Sequence, residues 1–198
     1  MGLDLYYIPG QTPLDEDEKE GLKINVITTR GELDEFEQLN IQKAVEWSIK
    51  RKFKLENILT VEFIKDLHKK MFEDVWSWAG EFRRTNKNIG VDKLQIGIEL
   101  RQLIDDCKYW IDKNIFSVDE IAIRFSHRIV KIHLFLNGNG RHSRLMADIL
   151  INHGFGGNIF SWGSMNLTNS SDTRTIYLKA LHDADDGNYQ SLIKFARE

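Results

Sequence analysis

Residues 133–144 read HLFLNGNGRHSR, and this composition is typical of an anion-binding turn. Gly138 and Gly140 lie two apart, and glycines permit backbone dihedrals in which successive N–H groups point toward one centre. A helix that begins here adds the unpaired N–H groups and the positive dipole end of its first turn. Arg141 and Arg144 are three residues apart, so both guanidinium groups face one side of that helix. We therefore predict a polyphosphate site at this turn.

His133 precedes the turn, at the end of the preceding predicted helix. An imidazole with a pKa of about 6.5 can accept a proton from an attacking hydroxyl at neutral pH. A base beside a phosphate site is typical of a nucleotidyl or phosphoryl transferase. By its spacing alone, a histidine before a Gly-Asn-Gly turn usually marks an ordinary helix C-terminus. The segment is not a Walker loop, because no Gly-Lys-Ser/Thr follows, and no strand precedes it as in a dinucleotide fingerprint.

This segment resembles the signature of the Fic family, His-x-Phe-x-(Asp/Glu)-Gly-Asn-Gly-Arg-x-x-Arg, and departs from it at Asn137. The run Trp78-Ala79-Gly80, followed by Arg83 or Arg84 and Thr85-Asn86, resembles the segment that leads into the family's flap. Residues 28–47 resemble a bacterial Fic subgroup labelled mobile mystery protein B. The resemblance implies a mainly α fold, a Fic-type helical bundle with one small β-hairpin flap.

The same resemblance implies a protein adenylyltransferase, which transfers AMP from ATP to a hydroxyl side chain of a target protein and releases pyrophosphate. His133 would deprotonate that hydroxyl, Arg141 would contact the α- or β-phosphate, and Arg144 would bind the γ-phosphate. The unaltered Gly-Asn-Gly-Arg turn favours AMP transfer over the phosphotransfer of Doc-like relatives, whose turn carries a lysine. The nucleotide-binding residues would be Asn137, Gly138, Asn139, Gly140, Arg141 and Arg144. The flap residues that would align the target by strand-like pairing are Thr85, Asn86, Lys87, Asn88, Ile89 and Gly90.

Asn137 bears on the expected cofactors, ATP as co-substrate and Mg²⁺. In the family, the acidic residue at this position coordinates Mg²⁺ together with the diphosphate. Asn137 offers a neutral amide oxygen, which is a weaker ligand for a hard cation. The sequence therefore leaves two roles open for Asn137, a metal ligand or a turn residue without metal.

Many Fic proteins are self-inhibited by a helix that places a glutamate against the second arginine of the motif, with the pattern Ser/Thr-x-x-x-Glu-Gly/Asn. The predicted helix 34–51 precedes the core and is the candidate element. Thr28 and Glu32 have the required spacing, but Leu33 follows them. Glu37 lies within the helix, but Leu33 stands four residues before it. We favour Glu37 as the inhibitory residue, with Glu32 next and an exposed helix glutamate as the alternative.

The pattern along the chain predicts one helical unit with an arm. The two prolines, Pro9 and Pro13, lie in the first segment, and apolar periodicity predicts about seven or eight helices after them. We assign residues 1–55 to an N-terminal arm with a regulatory helix and residues 56–198 to the Fic core domain. The acidic run from Asp15 to Glu20 is expected to be a solvated face.

Composition limits the class of protein. The net charge of −3 shows no basic excess, which argues against nucleic acid as a partner. The single cysteine, Cys107, cannot form an internal disulfide, and its place on an apolar helix stripe predicts a buried structural thiol. No apolar run reaches the roughly 18 residues that span a bilayer, and residues 1–10 do not read as a signal peptide. We therefore expect a cytoplasmic protein with no membrane partner.

The expected partners are a target protein with a Ser, Thr or Tyr hydroxyl, the protein itself, and an antitoxin-like protein. Two alternatives stay open. One is a catalytically weak nucleotide-binding relative that acts as a regulatory or toxin-like binding protein. The other is a Fic enzyme that uses another nucleoside triphosphate or removes AMP.

Overall fold

The computed structural model describes residues 15–163 and 170–198, and these residues are mainly helical. The helices are α1 (Glu16–Lys19), α2 (Arg30–Ile49), α3 (Leu55–Ile58), α4 (Val61–Phe72), α5 (Ile96–Asp112), α6 (Val118–Ile132), α7 (Asn139–Ile149), α8 (Ser170–Asp185) and α9 (Gln190–Arg197), with a π-helical turn at Leu150–Gly154. The predicted helical bundle is confirmed. The four-residue helices α1 and α3 were not predicted. The first fourteen residues of the predicted arm lie outside the described residues.

Side-chain caps fix where several helices begin. Thr60 accepts a hydrogen bond from the N–H of Phe63 at 3.1 Å, and Ser117 accepts one from the N–H of Glu120 at 3.3 Å. Thr29 caps α2, which therefore begins at Arg30, four residues before the predicted start.

The core of the bundle lies around α4 and α6. Helix α6 contacts α5, α7, α9 and the π-helical turn, while α4 packs between α2 and α7. Cys107 is fully buried in this core, and burial raises the pKa of its thiol to about 12, so the prediction of a structural thiol is confirmed. Across residues 15–163 and 170–198, no helix has the length and apolar character that crossing a membrane requires.

The predicted β-hairpin flap is not seen. In the described part of the chain, the one β-type pairing is an isolated antiparallel bridge between Leu22 and Trp76, and the flap, residues 85–90, is irregular. The backbone on either side of the flap bonds to the last residue of α6 and to the α6–α7 connection, and the two sides do not pair with each other. The Arg83 N–H donates to the Leu134 carbonyl at 3.0 Å, and the Val91 N–H donates to the Ile132 carbonyl at 3.3 Å.

The acidic run is exposed at Asp15, Glu16 and Glu20, as expected, but Glu18 is buried. Its side chain is 7% exposed, and its carboxylate accepts a hydrogen bond from the Thr85 hydroxyl at 2.8 Å. The same carboxylate pairs with the ammonium of Lys87. Pairing with a cation and a hydroxyl offsets the cost of burying a carboxylate. Helix α1 is therefore attached to the flap through Glu18.

Candidate active site

His133 is the C-cap residue of α6 and adopts the left-handed backbone conformation, with φ 58° and ψ 66°. Its side chain lies beneath the flap: a Cβ added to Gly90 would stand 2.6 Å from the Cβ of His133. Burial, followed by the nearby cations Arg83 and Lys87, lowers the pKa of His133 to about 4. The imidazole is therefore neutral near pH 7, the form in which it can accept a proton.

The glycine turn is shaped by its contact with α4. Gly138 has φ 77°, and a Cβ at this position would lie 2.4 Å from the ring of Phe72, so a larger residue would not fit. The Asn139 side chain accepts from the Phe135 N–H at 3.0 Å and donates to the Phe135 carbonyl at 2.8 Å. Asn139 therefore holds the turn with its amide side chain and can offer its backbone N–H to an anion.

His68, on α4, supports the same turn and was missed from the sequence. The Gly80 N–H donates to Nδ1 of His68 at 3.0 Å, so Nδ1 carries no proton and the opposite nitrogen, Nε2, does. That Nε2–H donates to the Asn137 carbonyl at 3.0 Å, and the ring stacks on Phe135 with centroids 3.7 Å apart. Burial lowers the pKa of His68 well below its usual value, which keeps the ring neutral. The sequence feature that could have identified His68 is that it is the one histidine on the otherwise apolar face of α4.

The two motif arginines have different partners. Nη1 of Arg141 lies 2.7 Å from Oε2 of Glu37, and its guanidinium stands 5.0 Å from the centre of the Phe72 ring. The guanidinium of Arg144 stands 5.1 Å from the ring centre of Tyr177 on α8. Both arginines line the same cavity, as their spacing predicted.

Glu37 is fully buried, which rules out an exposed helix glutamate at this position. Its Oε1 accepts a hydrogen bond from the Trp76 indole at 2.6 Å, and its Oε2 faces Arg141. The glutamate thus contacts the first arginine of the motif rather than the second. The other candidate, Glu32, caps α2 by accepting from the backbone N–H groups of Thr28 and Thr29, each at 2.9 Å.

One cavity of ≈ 1080 Å³ brings these groups together. Its lining includes the predicted residues His133, Asn137, Gly138, Asn139, Gly140, Arg141, Arg144, Ile89 and Gly90. The opposite wall is largely apolar and was not predicted; it includes Trp162, Tyr177, Leu178, Leu181 and Phe195. Asp148 holds this wall by accepting from the Trp162 indole at 3.1 Å and from the Phe160 N–H at 3.1 Å. Burial raises the pKa of Asp148 to about 6.

The remaining flap residues lie outside that lining. Thr85 and Lys87 bind Glu18, as described above. Asn86 donates to the Asp92 carboxylate at 2.8 Å, and Asn88 is exposed.

The residues at the turn do not fit a magnesium ion held by the protein. The side-chain oxygen of Asn137 accepts a hydrogen bond from the Gly138 N–H at 2.6 Å, so the turn already uses it. Two carboxylates of the described residues line the cavity, and each has a cationic partner. Asp34 pairs with Arg30 at 2.9 Å, and Asp185 pairs with Lys131 at 3.0 Å. Phosphate and water oxygens would have to supply the ligands of a bound metal.

A comparison with known protein families agrees with this arrangement of a histidine, a glycine turn and two arginines. Residues 58–151 match the family model described as Fic/DOC family. The chain contains a Fic/DOC family domain. The matched residues run from the end of α3 to the π-helical turn, so they include the flap, His133 and both motif arginines.

Solved structures share the Fic fold at low sequence identity. BepC, a VirB-translocated effector protein from Bartonella tribocorum solved with bound AMPPNP, is 19% identical with a TM-score of 0.68, over 97% of this chain and 94% of that one. The N-terminal FIC domain of Bep8 from Bartonella sp. 1-1C is 15% identical with a TM-score of 0.67, over 90% of each chain. Fic-1 (aa134–508) from C. elegans is 17% identical with a TM-score of 0.60, over 97% of this chain and 50% of that one.

Proposed function

We propose that the protein is an adenylyltransferase that transfers AMP from ATP to a hydroxyl side chain of a target protein and releases pyrophosphate. The observation that carries this proposal is the shared cavity, in which the neutral base His133 faces the same space as the glycine turn, Arg141 and Arg144. A cavity of ≈ 1080 Å³ has room for a nucleotide and an incoming side chain. The AMPPNP in the similar BepC structure supports an ATP-type donor.

The reaction uses the groups of the cavity in one displacement step. The target hydroxyl oxygen attacks the α-phosphorus of ATP while neutral His133 takes the hydroxyl proton. The bond from the α-phosphorus to the bridging oxygen breaks, and pyrophosphate leaves with those electrons. The backbone N–H groups of Asn139 and Gly140 and the dipole of α7 stabilise the charge on the phosphate oxygens. Arg141 contacts the α- or β-phosphate, and Arg144 contacts the γ-phosphate.

Glu37 would inhibit this reaction through Arg141. A phosphate oxygen and the Glu37 carboxylate compete for the same guanidinium, and Glu37 lies 2.7 Å from it. The Trp76 indole holds the glutamate in place. ATP therefore binds productively only when Arg141 exchanges one anionic partner for another.

The proposals for target, partner, subgroup, domain bounds and compartment rest on the sequence. The target carries a Ser, Thr or Tyr hydroxyl, the protein itself is one substrate, and an antitoxin-like protein is a further partner. Residues 28–47 support a place in the mobile mystery protein B subgroup. Residues 56–198 form the Fic core, with residues 1–55 as arm and regulatory helix. The reaction takes place in the cytoplasm, where ATP is present.

A catalytically weak nucleotide-binding protein is the second candidate function. Asn137 favours it, because the turn has no carboxylate to complete a metal site. Such a protein would retain ATP in the cavity without labelling any protein.

Transfer of label from ATP tests the proposal. The full chain is incubated, alone and with cell lysate, with ATP labelled at the α-phosphate, and mass spectrometry searches for an AMP adduct. We expect labelled protein, and we expect His133→Ala to lower the rate by roughly 10² to 10⁴ while ATP binding persists. Equal rates in the variant would remove His133 as the base. A parallel incubation uses ATP labelled at the γ-phosphate, and protein labelled only in that incubation would indicate phosphotransfer. The same assay with other nucleoside triphosphates identifies the donor.

A further inference from the structure

Arg83 occupies an unusual position for an arginine, because it is 2% exposed and its hydrogen bonds go to backbone carbonyls. Its Nε donates to the His133 carbonyl at 2.6 Å. Its Nη1 donates to the Thr85 carbonyl at 2.8 Å, and its Nη2 donates to the Val91 carbonyl. Nη2 also lies 3.5 Å from the Ile132 carbonyl. One guanidinium thus joins both ends of the flap to the end of α6.

The end of α6 is a favourable place for this cation. The last carbonyls of a helix have no partner within the helix, and they carry the negative end of its dipole. A guanidinium presents five N–H donors in a fixed plane, so it can bind several carbonyls at once. A lysine ammonium in the same position would carry the charge but could not reproduce that fork.

The flap and His133 depend on each other through this network. His133 adopts a left-handed conformation that a residue with a side chain rarely adopts, so surrounding contacts must hold it. Gly90 packs against His133 so closely that an added Cβ would lie 2.6 Å away. The Val91 N–H adds a backbone bond to Ile132 at 3.3 Å. Arg83 is the group that contacts all three parts: the start of the flap, its end, and the histidine carbonyl.

We propose that Arg83 is a positioning residue that fixes the flap and His133 relative to each other. It acts through their carbonyl groups and contacts no reacting atom. The consequence for rate rests on the proposed function, whereas the consequence for flap structure does not. Arg84 provides a matched neighbour: its side chain is 87% exposed, and it pairs with Glu81 at 3.2 Å.

The structural test measures amide hydrogen exchange at Val91 in the full chain without nucleotide. Arg83→Lys keeps the charge, Arg83→Met keeps the length, and Arg84→Met is the control. We expect both Arg83 variants to exchange the Val91 amide at least about tenfold faster, which corresponds to losing about 1.4 kcal/mol of local stability. Exchange in the core of α6 and in Arg84→Met should match the wild type. Unchanged exchange at Val91 in both Arg83 variants would overturn the proposal, and Arg83→Lys decides alone if Arg83→Met does not fold.

The kinetic test separates rate from nucleotide binding. We expect Arg83→Lys to lower kcat by about 10- to 100-fold through misplacement of the base and target, with KM for ATP nearly unchanged. Arg84→Met should keep both constants. A wild-type kcat in Arg83→Lys would overturn a positioning role. If the wild type transfers no AMP at all, the proposed function fails, and the exchange measurement still decides whether Arg83 holds the flap.

Discussion

Asn137 is a single residue whose surroundings decide its chemistry. Its backbone carbonyl accepts from His68, and its side-chain oxygen accepts from the Gly138 N–H. Both oxygens therefore help to shape the turn, and a neutral amide adds no charge for a cation. The surroundings of His133, four residues earlier, likewise decide its protonation state, because burial and two nearby cations keep its imidazole neutral.

Replacing Asn137 with aspartate should lower the Mg²⁺ concentration at which AMP transfer is half-maximal. The substitution adds one negative charge without changing side-chain size, and Mg²⁺ strongly prefers carboxylate oxygens beside phosphate and water. The Gly138 N–H keeps an acceptor in the variant. The measurement is a Mg²⁺ titration of the initial transfer rate in the wild type and in Asn137→Asp.

Asn137→Ala is the control for that titration. If the amide oxygen only shapes the turn, the alanine variant should lower the rate at every Mg²⁺ concentration and leave the midpoint alone. Identical midpoints in the wild type and Asn137→Asp would remove residue 137 from the metal's surroundings.

Helix α4 is the element that places the motif turn. Its Phe72 ring lies directly under Gly138 and beside the Arg141 guanidinium, while His68 bonds to the Asn137 carbonyl. Helix α2 approaches the same turn through Glu37. The chemistry of the turn therefore depends on two helices that precede it by many residues.

Glu37→Gln should raise the rate of self-modification. Glutamine keeps an acceptor for the Trp76 indole but removes the charge that faces Arg141, so the guanidinium becomes available to phosphate. The same change should lower the dissociation constant for ATP. The measurement is the initial rate of labelling of the protein by ATP labelled at the α-phosphate.

Glu35→Gln is the matched control, because Glu35 lies two residues earlier on the exposed face of α2. It should leave the rate as in the wild type. A lower rate in Glu37→Gln with normal stability would show that Glu37 holds Arg141 in its working position and is not an inhibitor.

Local patterns in the sequence predicted the parts of the fold that local chemistry decides. The glycine turn at residues 138–140 and the apolar stripe that contains Cys107 need only neighbouring residues. The structure adds contacts between distant residues, such as Arg83 with His133, 50 positions apart, and Glu18 with Thr85, 67 positions apart. The flap was expected to be a hairpin because the family resemblance implies one. The backbone on either side of the flap instead bonds to Ile132 and Leu134, and no local pattern encodes that choice.

The whole molecule buries several histidines in neutral form, which links its stability to pH. His68 and His142 lie with ring centroids 5.6 Å apart in the core, and Nε2 of His142 bonds to the Ile64 carbonyl at 2.9 Å. Burial lowers the pKa of His142 to about 4, and the pKa values of His68 and His133 are lowered as well. An unfolded histidine takes up its proton near pH 6.5, so acid favours the unfolded chain.

We therefore expect the free energy of unfolding to fall as pH drops from 6.5 toward 4. Each such histidine contributes a slope of about 1.4 kcal/mol per pH unit in that window. Asp148, with a pKa raised to about 6, has the opposite effect below pH 6 and offsets the slope of one histidine, because the folded state binds the Asp148 proton first.

Urea unfolding between about pH 7 and pH 5 should show a shallower dependence of the unfolding free energy on pH in His142→Gln, because glutamine keeps a donor for the Ile64 carbonyl but has no titrating group. His182→Gln, at a side chain 83% exposed, is the control for replacing a histidine. Equal slopes in His142→Gln and the wild type would mean that His142 takes up its proton without unfolding.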